Sequence, residues 1–467
     1  MRMTTVLATL VLGGCASTAI EGNYREVRQF GIDKLGAETR WLASANERAE
    51  MGKAVDRMLD EPLSLEAAEH IALGYSPAFQ IVLSEAATES ADATQSARIA
   101  NPIFTFEKLV RNEEGERDLD IGRSLGFSLL DLLLLPARLE RAEFRQQQLR
   151  LRASADLVGT LGEVRQAWVG AVAARQIANY RAQAHEVAEA GAELARRMQS
   201  VGNFSRLQRA REQLGYANAA ADLARAQQQA LAAREQLVRV LGLTTTQAAR
   251  LVLPERLPSL PAAIQTEDAF ARQAFDDRLD LRMARAELDW TAKTLGLTRV
   301  TSVVDGLHLA AVHNSETGAP EQRGYEIELP LPIFDFGDAR RAGAQARYMA
   351  TLNATALAAV VAASELREAY AGYRTARQLA MHYREELVPL RESISEDLLL
   401  RYNGMLTGVF ELLTDARVRV SVVAAAIEAE RDAWLAHVAL QGAMLGRPAR
   451  LPLMQAAAVA PGAGGGH

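Results

Sequence analysis

Residues 121–130 read Ile-Gly-Arg-Ser-Leu-Gly-Phe-Ser-Leu-Leu. In an extended chain successive side chains point to opposite faces, so Ile121, Leu125, Phe127 and Leu129 share one face and Gly122, Ser124, Gly126 and Ser128 the other. Residues 323–331 repeat the design, with Tyr325, Ile327, Leu329 and Leu331 alternating with Glu326 and Glu328. A segment of about 9–11 residues, apolar on one side and small or acidic on the other, is what a membrane-spanning barrel strand requires. Partner strands are expected near Asn101–Lys108 and Val303–His313, where the alternation is less clean. The polar stretches Arg111–Asp120 and Asn314–Gln322 are expected as exposed hairpin loops. The same pattern also fits an amphipathic hairpin packed on a soluble core, so the segments outside the strands have to decide.

Outward from these strands the chain follows one plan twice, at an offset of about 200 residues. An amphipathic helix, Leu63–Ala97 or Thr266–Leu295, precedes each strand pair. An Asp and an Arg-bearing lead-in follow it: Asp131-Leu-Leu-Leu-Leu-Pro-Ala-Arg138 and Asp335-Phe-Gly-Asp-Ala-Arg340-Arg341. Arg138–Gln199 holds no proline, and roughly 60 helical residues would extend about 90 Å, which an ordinary globular domain rarely houses. Apolar residues recur there at spacings of three and four, as in Leu157, Leu161, Val164 and Trp168, which is coiled-coil-like. The second long helix, Asp338–Leu400, is Ala-rich, with a kink expected at Pro389. Each long helix stops at a Gly-containing turn, Val201-Gly202-Asn203-Phe204 or Tyr402-Asn403-Gly404-Met405, and a return helix follows. The organisation expected is a signal segment over 1–14, an anchored segment over 15–61, a first repeat over 62–253, a Pro-rich linker over 254–265, a second repeat over 266–447 and a tail over 448–467. Four strands cannot close around a pore, so a spanning barrel requires several subunits.

Composition narrows the functional classes. A net charge of −6 with no basic stripe argues against nucleic acid as a partner. No run of about 20 consecutive apolar residues stands out as a spanning helix, which leaves a β-barrel as the way through a bilayer. Cys15 is the sole cysteine, so disulfides and thiolate metal sites are excluded. It closes Leu12-Gly13-Gly14-Cys15 behind Arg2 and the apolar run Thr4–Val11, the layout of a bacterial lipoprotein signal. Ala16 after it fits sorting to the outer membrane. The seven histidines are scattered and carry no metal expectation. No phosphate-binding loop, no Gly-x-Ser-x-Gly setting and no cofactor motif is present, and Glu113-Glu114 belongs to a polar loop.

Over roughly residues 62–446 the chain resembles the TolC-like outer-membrane efflux factor family. The resemblance rests on Leu63-Ser-Leu-Glu-Ala-Ala68, Asn101-Pro102, Leu329-Pro-Leu-Pro-Ile-Phe-Asp-Phe-Gly337 and Leu412-Leu413, in this order. It implies a mainly α fold with a small β part, in which long helical hairpins continue a trimeric 12-stranded transmembrane barrel, four strands per subunit. It further implies a lipid-anchored passive exit duct in the bacterial outer membrane, free of catalysis and cofactors. Such a duct docks a periplasmic adaptor that links it to an inner-membrane transporter. Val201, Gly202 and Asn203 match in part the family's adaptor-docking turn, and Gly404 and Met405 form the second, divergent one. Glu411 best matches an acidic ring that lines the closed entrance, with Asp415 one turn on, on the same face. Three copies around one axis would repel each other and favour cations. Arg401 and Tyr402 are the candidates for polar links that hold the gate shut. A lipid-anchored adaptor or scaffold without a pore is the alternative, against which two full hairpins and two strand pairs speak.

Overall fold

The computed structural model describes residues 14–113, 116–260, 274–301, 306–331 and 333–447. In chain order the elements are α1 (Gly14–Phe30), a π turn (Gly31–Leu35), α2 (Ala45–Met58), α3 (Leu65–Gly74), α4 (Pro77–Ser96), β1 (Ile103–Glu113), β2 (Glu116–Ser128), α5 (Leu129–Leu133), α6 (Leu135–Ser200), α7 (Arg206–Leu241), α8 (Thr245–Arg250) and α9 (Leu279–Thr301). They continue with β3 (His308–Glu316), β4 (Gln322–Glu328), α10 (Asp338–His382), a π turn (Tyr383–Leu387), α11 (Val388–Asn403) and α12 (Val409–Met444). The expected signal segment and tail, part of the linker and the start of the second amphipathic helix lie outside the described residues. Cys15 falls on α1.

The strands form one antiparallel sheet in the order β1-β2-β3-β4, so the hairpins of the two repeats join through β2 and β3. The register sets Phe104 opposite Leu125, Leu125 opposite Ala311 and Ala311 opposite Tyr325, which gathers most of the apolar side chains on one face, with Ile103, Leu109 and Val312 on the other. Glu107, Gly122, Asn314 and, through Ala310, Gly126 and Glu326 occupy the other. Phe104, Phe106, Leu125, Phe127, Tyr325 and Ile327 are all exposed within the chain. The strands depart from expectation at their ends. Arg111–Glu113 pair with Asp118–Glu116, so most of the first polar stretch is strand rather than loop. Polarity marked residues that stay in water, and the backbone ladder continues past them. At the other end Ser128 caps α5, accepting the Asp131 amide at 3.2 Å, so Leu129 and Leu130 are helical. β4 stops at Glu328, ahead of Pro330, which has no amide to donate.

The Asp and Arg of each lead-in pair with each other: Arg138 lies 3.4 Å from Asp131, and Arg340 lies 2.9 Å from Asp335. Asp335 also accepts the Gly337 amide at 2.8 Å, with Gly337 at φ 71°, a left-handed conformation that suits glycine. α6 is unbroken over 66 residues. The expected disturbance at Pro389 is the π turn just before it, whose wider ring gives the proline room against the preceding carbonyls. The expected amphipathic helix Leu63–Ala97 is two helices, because Pro77 starts α4 and cannot continue α3. One sequence expectation changes. Asp338–Asn403 contains an 18-residue window of mean hydropathy 1.4, apolar enough by length and composition to cross a membrane, although only 11% of it is buried. Its apolarity comes from alanines with Leu357, Val360 and Val361, broken by Asn353 and Thr355, so no run of large apolar residues announced it.

The chain divides into two compact units, each drawing on both repeats. The first comprises Met1–Phe30, Val82–Ser154 and Leu279–Val360, and the second Gly31–Ile81, Ala155–Arg278 and Val361–His467. In the first, Phe144 stacks on Trp290 at 5.0 Å, and Asn23, Ser90 and Gln146 form a hydrogen-bonded cluster. In the second, Val55, Leu63, Ile71, Trp168, Leu237 and Leu241 form a core, with the Trp168 indole N–H donated to the Leu63 carbonyl at 2.9 Å. Arg278, 1% exposed, donates to the Ala443 carbonyl at 2.9 Å and to Glu365 at 2.8 Å.

Candidate functional site: the two helical turns

Both turns belong to the second unit. After α6 the Asn203 amide reaches back to the Met198 carbonyl at 2.9 Å and the Gly202 amide to Gln199 at 3.0 Å. This pair of bonds is the Schellman closure, whose pivot adopts a left-handed conformation, and Gly202 supplies it at φ 82°. After α11 the same bonds recur: Leu406 to Arg401 at 2.9 Å and Met405 to Tyr402 at 2.9 Å. Here the pivot is Met405, at φ 56°, while Gly404 sits at an ordinary φ of −79°. Gly404, the glycine of this turn, is not its left-handed residue. The glycine lies one position before the pivot, so the turn holds a side chain in a conformation costing roughly 1–2 kcal/mol.

The helices leaving the turns differ too. Ser205 caps α7 in a reciprocal box with Gln208, whereas Gly408 begins α12 without a side-chain cap. The Thr407 hydroxyl instead donates to the Glu411 carboxylate. Glu411 is exposed in the first turn of α12, where the free amides and helix dipole favour a negative charge. Val201 is 71% exposed, Met405 94% and Leu406 80%, so the turns present apolar tips to solvent.

Asp415 does not share the surroundings of Glu411. It is 9% exposed and turned toward α11, where Arg391 and Ser395 hold its two carboxylate oxygens, the serine at 2.6 Å. Its charge is paired within the chain, so Asp415 and Glu411, expected together at the constriction, have different surroundings. Arg401 and Tyr402, expected as links, have no side-chain hydrogen bond or ion pair among the described residues. Within the chain, Phe204 stacks on Phe410 at 4.5 Å, and Arg417 donates to Glu212 at 2.7 Å. These bind the first hairpin to α12, across about 200 residues of sequence, and no local pattern signals them. Above them a groove of about 800 Å³ runs between α6, α11 and α12, with Tyr180, Glu392, Asp415, Arg419, Ile427 and Glu430 among its walls. Burial raises the Glu430 carboxyl above its usual range, with Arg384 and Arg256 opposing. His382, one of the scattered histidines, contacts Glu386 four residues on at 3.1 Å, and two such groups do not make a metal centre.

No family model matches the sequence, and no curated protein sequence matches it. Solved structures do. The Campylobacter jejuni CmeC outer membrane channel superposes with a TM-score of 0.67 at 14% identity, over 90% of this chain and 92% of that one. The outer membrane protein VceC from Vibrio cholerae gives 0.66 at 14% identity, over 87% and 99%. The open state of the Neisseria gonorrhoeae MtrE outer membrane channel gives 0.64 at 16% identity, over 84% and 89%. At these identities the likeness speaks to architecture, and the strand pairs, long hairpins and order of elements agree with it: the chain has the fold of the TolC-like outer-membrane channels.

Proposed function

We propose that the protein is a passive exit duct of a tripartite efflux system in the bacterial outer membrane, anchored by lipid at Cys15. The observation that carries this reading is the four-stranded sheet, with exposed rows of large apolar side chains on one face and mostly small or polar ones on the other, set on long helical hairpins. Such a sheet is too narrow to close on a pore, so three copies supply twelve strands. The largely unburied apolar window of Asp338–Asn403, with Leu357 and Val360 exposed, supports burial against further copies of the chain. The exposed apolar turns at Val201, Gly202, Asn203, Gly404 and Met405 are the docking points for a periplasmic adaptor, which joins the duct to an inner-membrane transporter. Glu411 lines the entrance. Asp415, through Arg391, holds α12 against α11 and is the intrachain brace of the gate, while Arg401 and Tyr402, without a side-chain hydrogen bond or ion pair among the described residues, are left for contacts between subunits.

The reading is tested by extracting the full chain from isolated outer membranes and comparing unheated with boiled samples on a denaturing gel. A heat-modifiable trimer released only by detergent is the expected result. A monomer soluble without detergent would instead support the pore-free scaffold.

A further inference from the structure

Resting on the exit-duct reading, we infer that the lipid-facing side of the sheet carries a built site for phosphate-bearing headgroups of outer-leaflet lipids, formed by Lys108, Arg123, His313 and Arg323. The register sets Arg123 opposite His313 and His313 opposite Arg323, so the three stand abreast on β2, β3 and β4. With strands about 4.8 Å apart, the row is roughly 10 Å wide. Lys108 lies opposite Ile121, two residues along from Arg123, and joins the row diagonally on the same face. This is the apolar face: the rows nearer the helices are Phe104, Leu125, Ala311 and Tyr325, then Phe127, Leu309 and Ile327. All four strands attach to helices at that end, and the hairpin turns lie at the other. On β3 and β4 the row stands one register pair from the hairpin turn, at the end of the sheet away from the helices, where a barrel passes from acyl chains to headgroups; on β1 and β2 the pairs Lys108–Ile121 and Val110–Leu119 carry the face further out.

Charge supports a phosphate there. Glu321 balances Arg323, 3.2 Å away, and lies 3.4 Å from the His313 imidazole. Lys108 and Arg123 are exposed and have no ion pair among the described residues. A guanidinium pair and an ammonium at this spacing suit phosphate monoesters, which accept charge-assisted hydrogen bonds from several donors at once. Solvation alone would place such residues on the hairpin turns, as at Arg323 beside the β3–β4 turn, whereas Lys108 and Arg123 interrupt an apolar face that resumes beyond them at Val110 and Leu119.

The test is native mass spectrometry of the detergent-purified full chain with bis-phosphorylated lipid A, the same lipid enzymatically dephosphorylated, and inorganic phosphate. Retention of the phosphorylated lipid alone is expected. The combined variant K108Q/R123Q/R323Q should lower that retention about tenfold or more, while R123K keeps it and shows that the sheet still folds. Equal retention of the dephosphorylated lipid, or undiminished binding by the triple variant, would overturn the inference and leave the duct untouched. Binding of inorganic phosphate to the same extent would replace the lipid with a free anion and overturn it also. A chain that does not enter a bilayer would remove both this inference and the duct reading.

Discussion

The turns after α6 and α11 close with the same two backbone bonds, yet one is built from matched parts and the other is not. The first has glycine at its left-handed pivot and a reciprocal Ser205–Gln208 cap on the next helix. The second has Met405 at the pivot and no side-chain cap at Gly408. The first is stabilised locally. The second depends on contacts made further along α12, chiefly Arg391 with Asp415 and Arg417 with Glu212. In the proposed duct, the element held by removable contacts rather than by its own turn is the one suited to move as a gate.

Breaking the brace should show this contrast most strongly. Asp415→Ala removes the carboxylate that pairs with Arg391, 17% exposed, leaving it only the residue-415 carbonyl at 3.1 Å, and should cost about 3 kcal/mol, with amide exchange rising in α11 and the start of α12. Glu193→Ala removes an exposed pair with Arg196 and Arg197 beside the first turn and should leave exchange there unchanged. If both variants behave alike, the two turns do not differ as described.

A second prediction concerns the core that both hairpins share. Burial, and then Arg165 and Arg377, lower the His437 pKa from 6.5 to about 4. Below pH 6.5 the unfolded chain takes up a proton that the folded chain refuses until about pH 4. Stability therefore falls as the pH drops through that window, by about 3 kcal/mol, and His437→Gln should flatten the fall. Denaturant titrations at several pH values measure it, and the slope should be the same in variants of either turn.

Glycine substitutions sharpen the comparison at the turns themselves. Gly202→Ala forces a Cβ into a left-handed pivot and should cost about 1 kcal/mol. Gly404→Ala should be near neutral: its φ is ordinary, and the added carbon would meet the Arg401 carbonyl oxygen at 3.5 Å, a normal contact. Equal losses from thermal melts would restore Gly404 as the pivot. The smallest effect is expected of Gly408→Ser, whose extended backbone already suits a cap and whose surroundings are open. It should stabilise α12 by a few tenths of a kcal/mol, visible as slower amide exchange in its first turn.

Much of this architecture was legible because it obeys short periods. The two-residue alternation of β2 and β4 and the uninterrupted Arg138–Gln199 were enough to expect strands on long hairpins. The partner strands were blurred for a physical reason: Lys108 and His313 lie on the apolar face and spoil the alternation. Loop lengths were overstated because polar residues were read as unpaired, although Arg111–Glu113 complete their ladder in water. At the turns, the presence of glycine was visible and its position relative to the pivot was not, since only the bond pattern separates Gly404 from Met405. Asp415 and Glu411 looked alike four residues apart. Their environments are decided by Arg391, Ser395 and the packing of α11, which no local spacing encodes.

Single-channel conductance in a planar bilayer, comparing the detergent-purified full chain with Glu411→Ala, bears most directly on the proposed duct. Small, cation-selective steps that lose their selectivity in the variant are the predicted result. Steps of unchanged selectivity would contradict Glu411 as the entrance residue, and an inserted trimer without any conductance, even after Asp415→Ala loosens the brace, would contradict the duct itself.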